Sequence, residues 1–336
     1  MLVYTMRRLV GAIPVLVLAS ILTFVMVDIS GDPLLELRTA TPPPPEAVIE
    51  QEAERLYLDR SMPERYWLWV TGIGGEGNIG LLQGEFGPST QGQQYEIGPE
   101  IAERLWTTLR LVGIAMLLAL GLAIIAGAVS AMRQYSKLDY TLTFVGFLCL
   151  AMPTFWLAGI VQASGVEINQ LIGENLFKTI GDGRYGAEGA PPWDQFVNAF
   201  AHMALPTLVL MLTSFASWSR YQRTSMLEVL NSDYVRLARA KGLRDKVVIR
   251  RHALRTALIP LTTVFALGVA GIIDGTILTE TVFQWRGLGD FFITAVENND
   301  SYALMGWLLL SGFMVILANL IADLLYGVLD PRIRYE

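Results

Sequence analysis

Asp233-Tyr234-Val235-Arg236-Leu237-Ala238-Arg239-Ala240-Lys241-Gly242 is the stretch on which the fold turns. It reads as a short helix with Asp233, or Ser232, as its N-cap, since a short polar side chain there accepts orphan backbone amides. Arg239 and Lys241 fall near the C-terminal end, where cations complement the helix dipole. Gly242 supplies the left-handed residue that stops the helix. A second basic helix, Asp245 to Arg255, follows and leads to Pro260. The two helices make a rigid helix–glycine–helix elbow inside the loop Ser219–Thr256, which holds 10 of the chain's 25 Lys and Arg residues.

Outward from this loop the chain becomes apolar on both sides. A span needs roughly 20 mostly apolar residues to cross about 30 Å of hydrocarbon. Six stretches qualify: Leu9–Ile29, Trp106–Val129, Tyr140–Ser164, the shorter Ala201–Trp218, Ala257–Thr279 and Leu304–Val328. The first follows Arg7 and Arg8 as a signal peptide would, but its length and the lack of a small-x-small cleavage site after Ile29 make it a retained anchor. Pro14, Pro153, Pro206 and Pro260 lie in or near spans as kinks or ends. Composition agrees. The 336 residues are 53% hydrophobic and 17% charged, with mean hydropathy +0.43, against about 25% charged in a soluble domain. That excludes a disordered chain. The single Cys149 excludes a disulfide scaffold, and Cys149, His202 and His252 are too few and scattered for a zinc site. Each is expected to pack rather than react. No metal or cofactor is expected.

Charge fixes an expected orientation. The connections at 1–8, 130–139, 219–256 and 329–336 carry 16 basic and 6 acidic residues, whereas those at 30–105, 165–200 and 280–303 carry 8 basic and 22 acidic. The basic set faces the cytoplasm, so both termini do too, with six crossings between them. The net charge of −6 averages two opposite faces. The basic face also attracts anionic lipid, at about 1 kcal/mol per residue near the surface. A nucleic-acid partner is not expected.

The outer segment 30–105 is too long for a plain connection. It has a stiff tract, Pro42 to Pro45, then a helix from Glu46 to Leu58 ended by Met62-Pro63, then the aromatic cluster Arg65-Tyr66-Trp67-Leu68-Trp69, suited to the membrane interface. A glycine-rich stretch, Gly72 to Gly92, precedes Gly98-Pro99, which opens a helix into the second span. The expected organisation is residues 1–29 for the terminal end and first span, 30–105 for an extracytoplasmic subdomain, and 106–336 for a core of five spans with the elbow. The fold class is an all-α polytopic membrane protein.

At the elbow the sequence resembles a known family. Asp233 to Gly242, then Arg251-His252-Ala253-Leu254-Arg255 and Ala257-Leu258-Ile259-Pro260, are similar to the dipeptide/oligopeptide-type permeases of bacterial ABC importers, specifically the longer of their two permease types. Arg7-Arg8-Leu9 with Ile13-Pro14, Gly31-Asp32-Pro33, Met62 to Trp69, Gly84 to Ser89, Glu280-Thr281-Val282-Phe283 with Gly287-Leu288-Gly289, and Leu329 to Arg334 extend the likeness over nearly the whole chain. Against the broader importer pattern, Arg236-Leu237-Ala238 stand where Glu-Ala-Ala occurs, and Leu254-Arg255 where Leu-Pro occurs. Arg286 replaces a frequent Pro.

The resemblance implies that the elbow docks into a groove on an ATPase subunit. Asp233, Tyr234, Val235, Arg236, Ala238, Arg239, Ala240, Lys241 and Gly242 are then the coupling residues: Arg239 and Lys241 the charges, Tyr234, Val235 and Ala238 the packing surface, Gly242 the turn. Independently, none of the four lysines follows a glycine, so a Gly-Lys-Ser/Thr phosphate cradle is absent. The chain is expected to be non-catalytic, its energy supplied by partner ATPase chains. The resemblance adds a second homologous permease, two ATPase subunits or domains, an extracytoplasmic binding protein and a bacterial inner-membrane location. The implied cargo is di- or oligopeptides; related machines carry nickel chelates, glutathione or oligosaccharides. Gly271 and Gly275 permit close helix approach, and Asp274 between them costs about 2.5–3.5 kcal/mol at a span centre. These three residues are the candidates for the translocation path; Asp274 either faces a water-filled path or a partner, or lies near the outer end of its span and is hydrated. Asp28 is expected at an interface and Asp323 near the inner end of span six. An ion-coupled carrier would show internal repeats, and a membrane enzyme a cluster of reactive side chains. The sequence has neither.

Overall fold

The computed structural model describes residues 2–77, 79–183 and 189–329, with side chains described outside 2–5, 8–9, 266–267, 269–275 and 322–329. Its regular elements are helical. They are α1 (Leu2–Ser30), α2 (Leu35–Thr39), α3 (Glu46–Arg55), α4 (Met62–Thr71), a 3-10 turn (Leu81–Gln83), α5 (Ile97–Met132), α6 (Lys137–Ala151), α7 (Thr154–Ile172), α8 (Pro192–Leu230), α9 (Asp233–Ala240), α10 (Asp245–Val247), a π turn (Val248–Ala253), α11 (Leu254–Phe283), α12 (Leu288–Glu297) and α13 (Ser301–Leu329). Among the described residues, four helices are long and apolar enough to cross a membrane, and α6 with α7 make a fifth candidate as a bent pair. The apolar centre of α11 falls on residues whose side chains lie outside the description.

The chain forms two compact units. One comprises Leu109–Trp285 and the described residues from Leu317 onward; the other comprises Leu2–Thr108 and Arg286–Ile316.

In the first unit α5 turns a ladder of small residues, Ala115, Ala119 and Ala123, against α8 and α11, where Leu210, Phe215, Trp218 and Leu261 close the core with Trp285. Gly127 continues the ladder one turn on. A Cβ there would sit 2.7 Å from the Ser219 carbonyl oxygen and 2.7 Å from Gln222 Cβ. Only glycine permits that approach of α5 to α8. On the other side of α8, Leu205 and Val209 pack with Leu157 and Ala158 of α7 and with Phe283. Gln162 of α7 donates to the carbonyls of Thr179 and Val282, both at 3.0 Å.

The expected third span, 140–164, is not one helix. It breaks at Met152-Pro153 into α6 and α7, bent by 110°. Proline has no N–H to continue the ladder and drives the preceding residue out of the helical region, and Met152 is extended at φ −79°, ψ 131°. Pro206, by contrast, lies inside an unbroken α8, which runs over 39 residues rather than the short stretch expected.

In the second unit α4 packs on α1 through Tyr66, Trp69 and Phe24, with ring centroids 5.4–6.2 Å apart. Arg65 pairs with Asp28, and Ser20 and Tyr66 hydroxyls are 2.9 Å apart. Met62-Pro63 therefore opens α4 rather than only ending the helix before it. Proline suits a first turn because its missing N–H would be unpaired there anyway. Ser61 gives its N–H and hydroxyl to Glu64, 3.0 and 2.7 Å away. Of the aromatic cluster expected at an interface, only Trp67 is exposed. Trp69 is 1% exposed, with its indole N–H on the Phe86 carbonyl at 3.0 Å. Gly98-Pro99 opens α5 as expected. The start of α13 is anchored by Asp300, which accepts from Ser89, from Thr90 N at 3.2 Å and from Ala303 N at 3.0 Å.

Candidate functional site

The elbow lies wholly in the first unit and begins where α8 ends. Ser232 occupies the N-cap position at φ −72°, ψ 153°, but its hydroxyl turns back to donate to the Val229 carbonyl at 2.5 Å. Asp233 opens the first turn, paired with Arg236 at 3.7 Å. The helix ends in a Schellman closure: the N–H of Gly242 donates to the Arg239 carbonyl at 2.9 Å and that of Leu243 to the Ala238 carbonyl at 3.4 Å. That closure needs a left-handed residue, and Gly242 is at φ +77°. Across the turn Arg239 Nε meets Asp245 Oδ1 at 3.3 Å.

α9 has two distinct faces. Val235, fully buried, and Ala238, at 7% exposure, point into the chain, packing with Ala131, Met226, Val248, Ala253 and Ala257. The outer faces carry Tyr234 and Leu237, 43% and 57% exposed, amid the exposed Asp233, Arg236, Arg239, Ala240 and Lys241. The expectation that Val235 and Ala238 form an outward packing surface is therefore corrected. They fasten α9 to this chain, and only Tyr234 of that trio remains available outward. Leu237, which sequence reasoning passed over, joins it. The signal was present in the spacing: positions 234 and 237 share a face, and 235 and 238 share the adjacent one.

The second helix of the elbow is not a separate α-helix over 245–255. It passes through the π turn, whose i→i+5 bonding is seen where Leu254 N–H meets the Ile249 carbonyl. The wider turn brings Val248 and Ala253, five residues apart and both fully buried, onto the α9-facing side, while Arg250 and Arg251 stay exposed. π turns occur often at functional sites.

Beneath the elbow lies an ion pair with a buried carboxylate and a half-buried guanidinium, which the sequence did not single out. Arg223 of α8 grips Asp139 of α6 with two bonds, Nε to Oδ1 at 2.8 Å and Nη2 to Oδ2 at 2.9 Å. Ser130 of α5 donates to the same carboxylate and accepts from Arg223 Nε at 3.1 Å. Tyr135 N–H adds a bond at 3.0 Å. Asp139 is 2% exposed, and the Arg223 guanidinium holds its carboxyl well below the usual carboxylate range. Its sequence signal was Ser136 three residues earlier, whose hydroxyl caps α6 by accepting Asp139 N–H at 3.2 Å.

The other expected residues fall elsewhere. Gly271, Asp274 and Gly275 lie within α11, but their side chains are outside the described residues, as is that of Asp323. Asp28 is tied to Arg65. His202 packs by Gly181 and Gly183, its Nδ1 2.8 Å from the Asn198 carbonyl oxygen. Cys149 is buried in α6.

Long apolar helices joined through a basic, rigidly fastened elbow define a multi-pass helical membrane protein of the permease class. The chain belongs to the family of binding-protein-dependent transport system inner membrane components, which matches residues 119–335; the N-terminal domain of such membrane components matches residues 1–112. It is similar to the oligopeptide transport system permease protein OppB of Mycobacterium bovis, 37% identical over 98% of each chain. It is also similar to the oligopeptide permease protein AppB of Bacillus subtilis and the dipeptide permease protein DppB of Escherichia coli K12, each 35% identical over 100% of both chains. A chain of the MetNI methionine ABC transporter shares the fold at TM-score 0.53 and 14% identity, covering 68% of this chain and 96% of that one.

Proposed function

We propose that this chain is one of two membrane subunits of an ATP-driven importer for di- and oligopeptides, and that α9 is its contact with the ATPase. The whole-length likeness to peptide permeases supports the cargo. The observation that carries the contact is the outward face of α9: Tyr234 and Leu237 set among Arg236, Arg239 and Lys241, on a helix too firmly seated to move alone. Such a face suits an acid-rimmed apolar groove. A rigid short helix passes a rigid-body shift to the helices beside it.

Six crossings are provided by α1, α5, the α6–α7 pair, α8, α11 and α13, with both termini and the elbow cytoplasmic and residues 30–105 outside. The charge asymmetry of the connections supports this orientation. The path lies against a second, homologous permease, with Gly271, Asp274 and Gly275 of α11 along it. Cargo arrives from an extracytoplasmic binding protein, and ATP is hydrolysed by two partner chains or domains.

The test is a mild-detergent pull-down of the tagged chain from native membranes. Two ATPase chains (or one twice), a second six-span permease and a binding protein loaded with peptide are expected. Recovery of the chain alone, even after cross-linking, overturns the reading.

A further inference from the structure

Motion delivered to α9 needs a stiff route to the spans. The apolar cluster around Val235 and Ala238 fastens α9 to Met226 of α8 and to Ala131 of α5. Met226 lies three residues beyond Arg223, on the same face of α8. Ser130 is the neighbour of Ala131. The cluster and the ion pair are therefore consecutive layers of one joint: α9 on α8, then α8 on the α5–α6 turn. Within this unit, a displacement of α9 that leaves the joint intact must move α6.

The joint also holds a feature that its present packing does not satisfy. Gln222, next to Arg223, is fully buried, and neither its Oε1 nor its Nε2 has a hydrogen-bond partner. It packs on Gly127 of α5. A buried amide without partners is destabilising, so a shift of α8 along α5 that gave it partners would be favoured. A small cavity lined by Gly127, Ser130, Thr143 and Ser219 lies between α5, α6 and α8. Coupling requires an element with two arrangements, and the α5–α8 crossing has an unpaired buried amide and a small space beside it for a second one.

We infer that Asp139 and Arg223, locked together with Ser130, are positioning residues that transmit movement of α9 to α6. The inference rests on the reading of α9 as the ATPase contact. Two parallel bonds resist rotation as well as separation, which is what a joint requires and a single-point contact does not supply.

The sole cysteine offers a reporter. Cys149 lies ten residues beyond Asp139 on α6, about 15 Å along the axis. The assembled complex, purified through a tag on this chain, is treated with N-ethylmaleimide with and without ATP plus orthovanadate, and labelling of Cys149 is followed by mass spectrometry. In the native complex the labelling rate should change by about threefold or more with nucleotide. Asp139→Asn and Arg223→Gln should abolish that change while recovering ATPase chains to within about twofold of native. Arg223→Lys, which keeps the charge but not the fork, should restore part of it. A response that persists in Asp139→Asn overturns the inference, as does a native complex whose Cys149 rate ignores nucleotide. Loss of ATPase recovery in all three variants also overturns it, since the pair would then only hold the fold. Failure of the α9 reading looks different: no ATPase chain accompanies even the native protein.

Discussion

Gly242 and Gly127 are both required to be glycine, for different reasons, and the difference can be measured. Gly242 sits at φ +77° with nothing within 4 Å of where a Cβ would be, so Gly242→Ala meets only the left-handed backbone penalty, about 1–2 kcal/mol. At Gly127 the added methyl meets a backbone carbonyl oxygen, which cannot step aside. Gly127→Ala should cost more, about 1–3 kcal/mol from overpacking and in addition part the α5–α8 crossing. Thermal unfolding of the purified variants in detergent should therefore rank Gly127→Ala below Gly242→Ala. Equal loss at both positions would mean that α5 and α8 are not in close contact there. Two aspartates predict opposite pH behaviour. The carboxyl of Asp139 is held low by Arg223, so its stabilisation is full above the ordinary carboxylate range and is lost as pH falls below it. Burial pushes the Asp300 carboxyl up despite its bonds from Ser89, Ala303 and Thr90. The unit containing Asp300 is therefore most stable with that group protonated, and weakens as pH rises through its raised value. Limited proteolysis of residues 30–105 across pH should show the second effect, and Asp300→Asn should flatten it. A profile unchanged by Asp300→Asn would contradict the assignment.

At the scale of elements, apolar length alone located α1, α5, α8, α11 and α13, because a run of such residues has few stable alternatives to a buried or spanning helix. Proline was harder to read. The same residue type breaks the chain at Pro153, starts a helix at Pro63 and passes within one at Pro206, because its cost depends on whether the missing N–H had a partner. The amphipathic pattern of α9 was legible, but not which stripe faces inward. That depended on Met226, Val248 and Ala253, residues distant in sequence or placed by a π turn that no local pattern announced. The Asp139–Arg223 pair was illegible for a similar reason. In the sequence Arg223 is one of ten cations in its loop, and only folding selects it. The bent α6–α7 pair makes its own prediction. α6, at 15 residues, is about 22 Å long and too short to cross alone. If the pair crosses once, cysteines placed at Gln134 and at Glu174 in a Cys149→Ser background react with a membrane-impermeant maleimide from opposite sides. Labelling of both from one side would make the pair a re-entrant loop.

At the scale of the whole molecule, the family and the likeness to peptide permeases establish a transport component, and the sequence holds no phosphate cradle of its own. The central claim is that energy enters through the outward face of α9. The direct measurement is site-specific photocross-linking, with a benzophenone side chain introduced at Leu237 in one variant and at Val235 in another, in native membranes. Leu237 is 57% exposed and Val235 fully buried, two positions apart on the same short helix. The account predicts an adduct between this chain and an ATPase chain from position 237, and none from position 235. No ATPase adduct from position 237 while the complex remains intact, or equal capture from both, would contradict it.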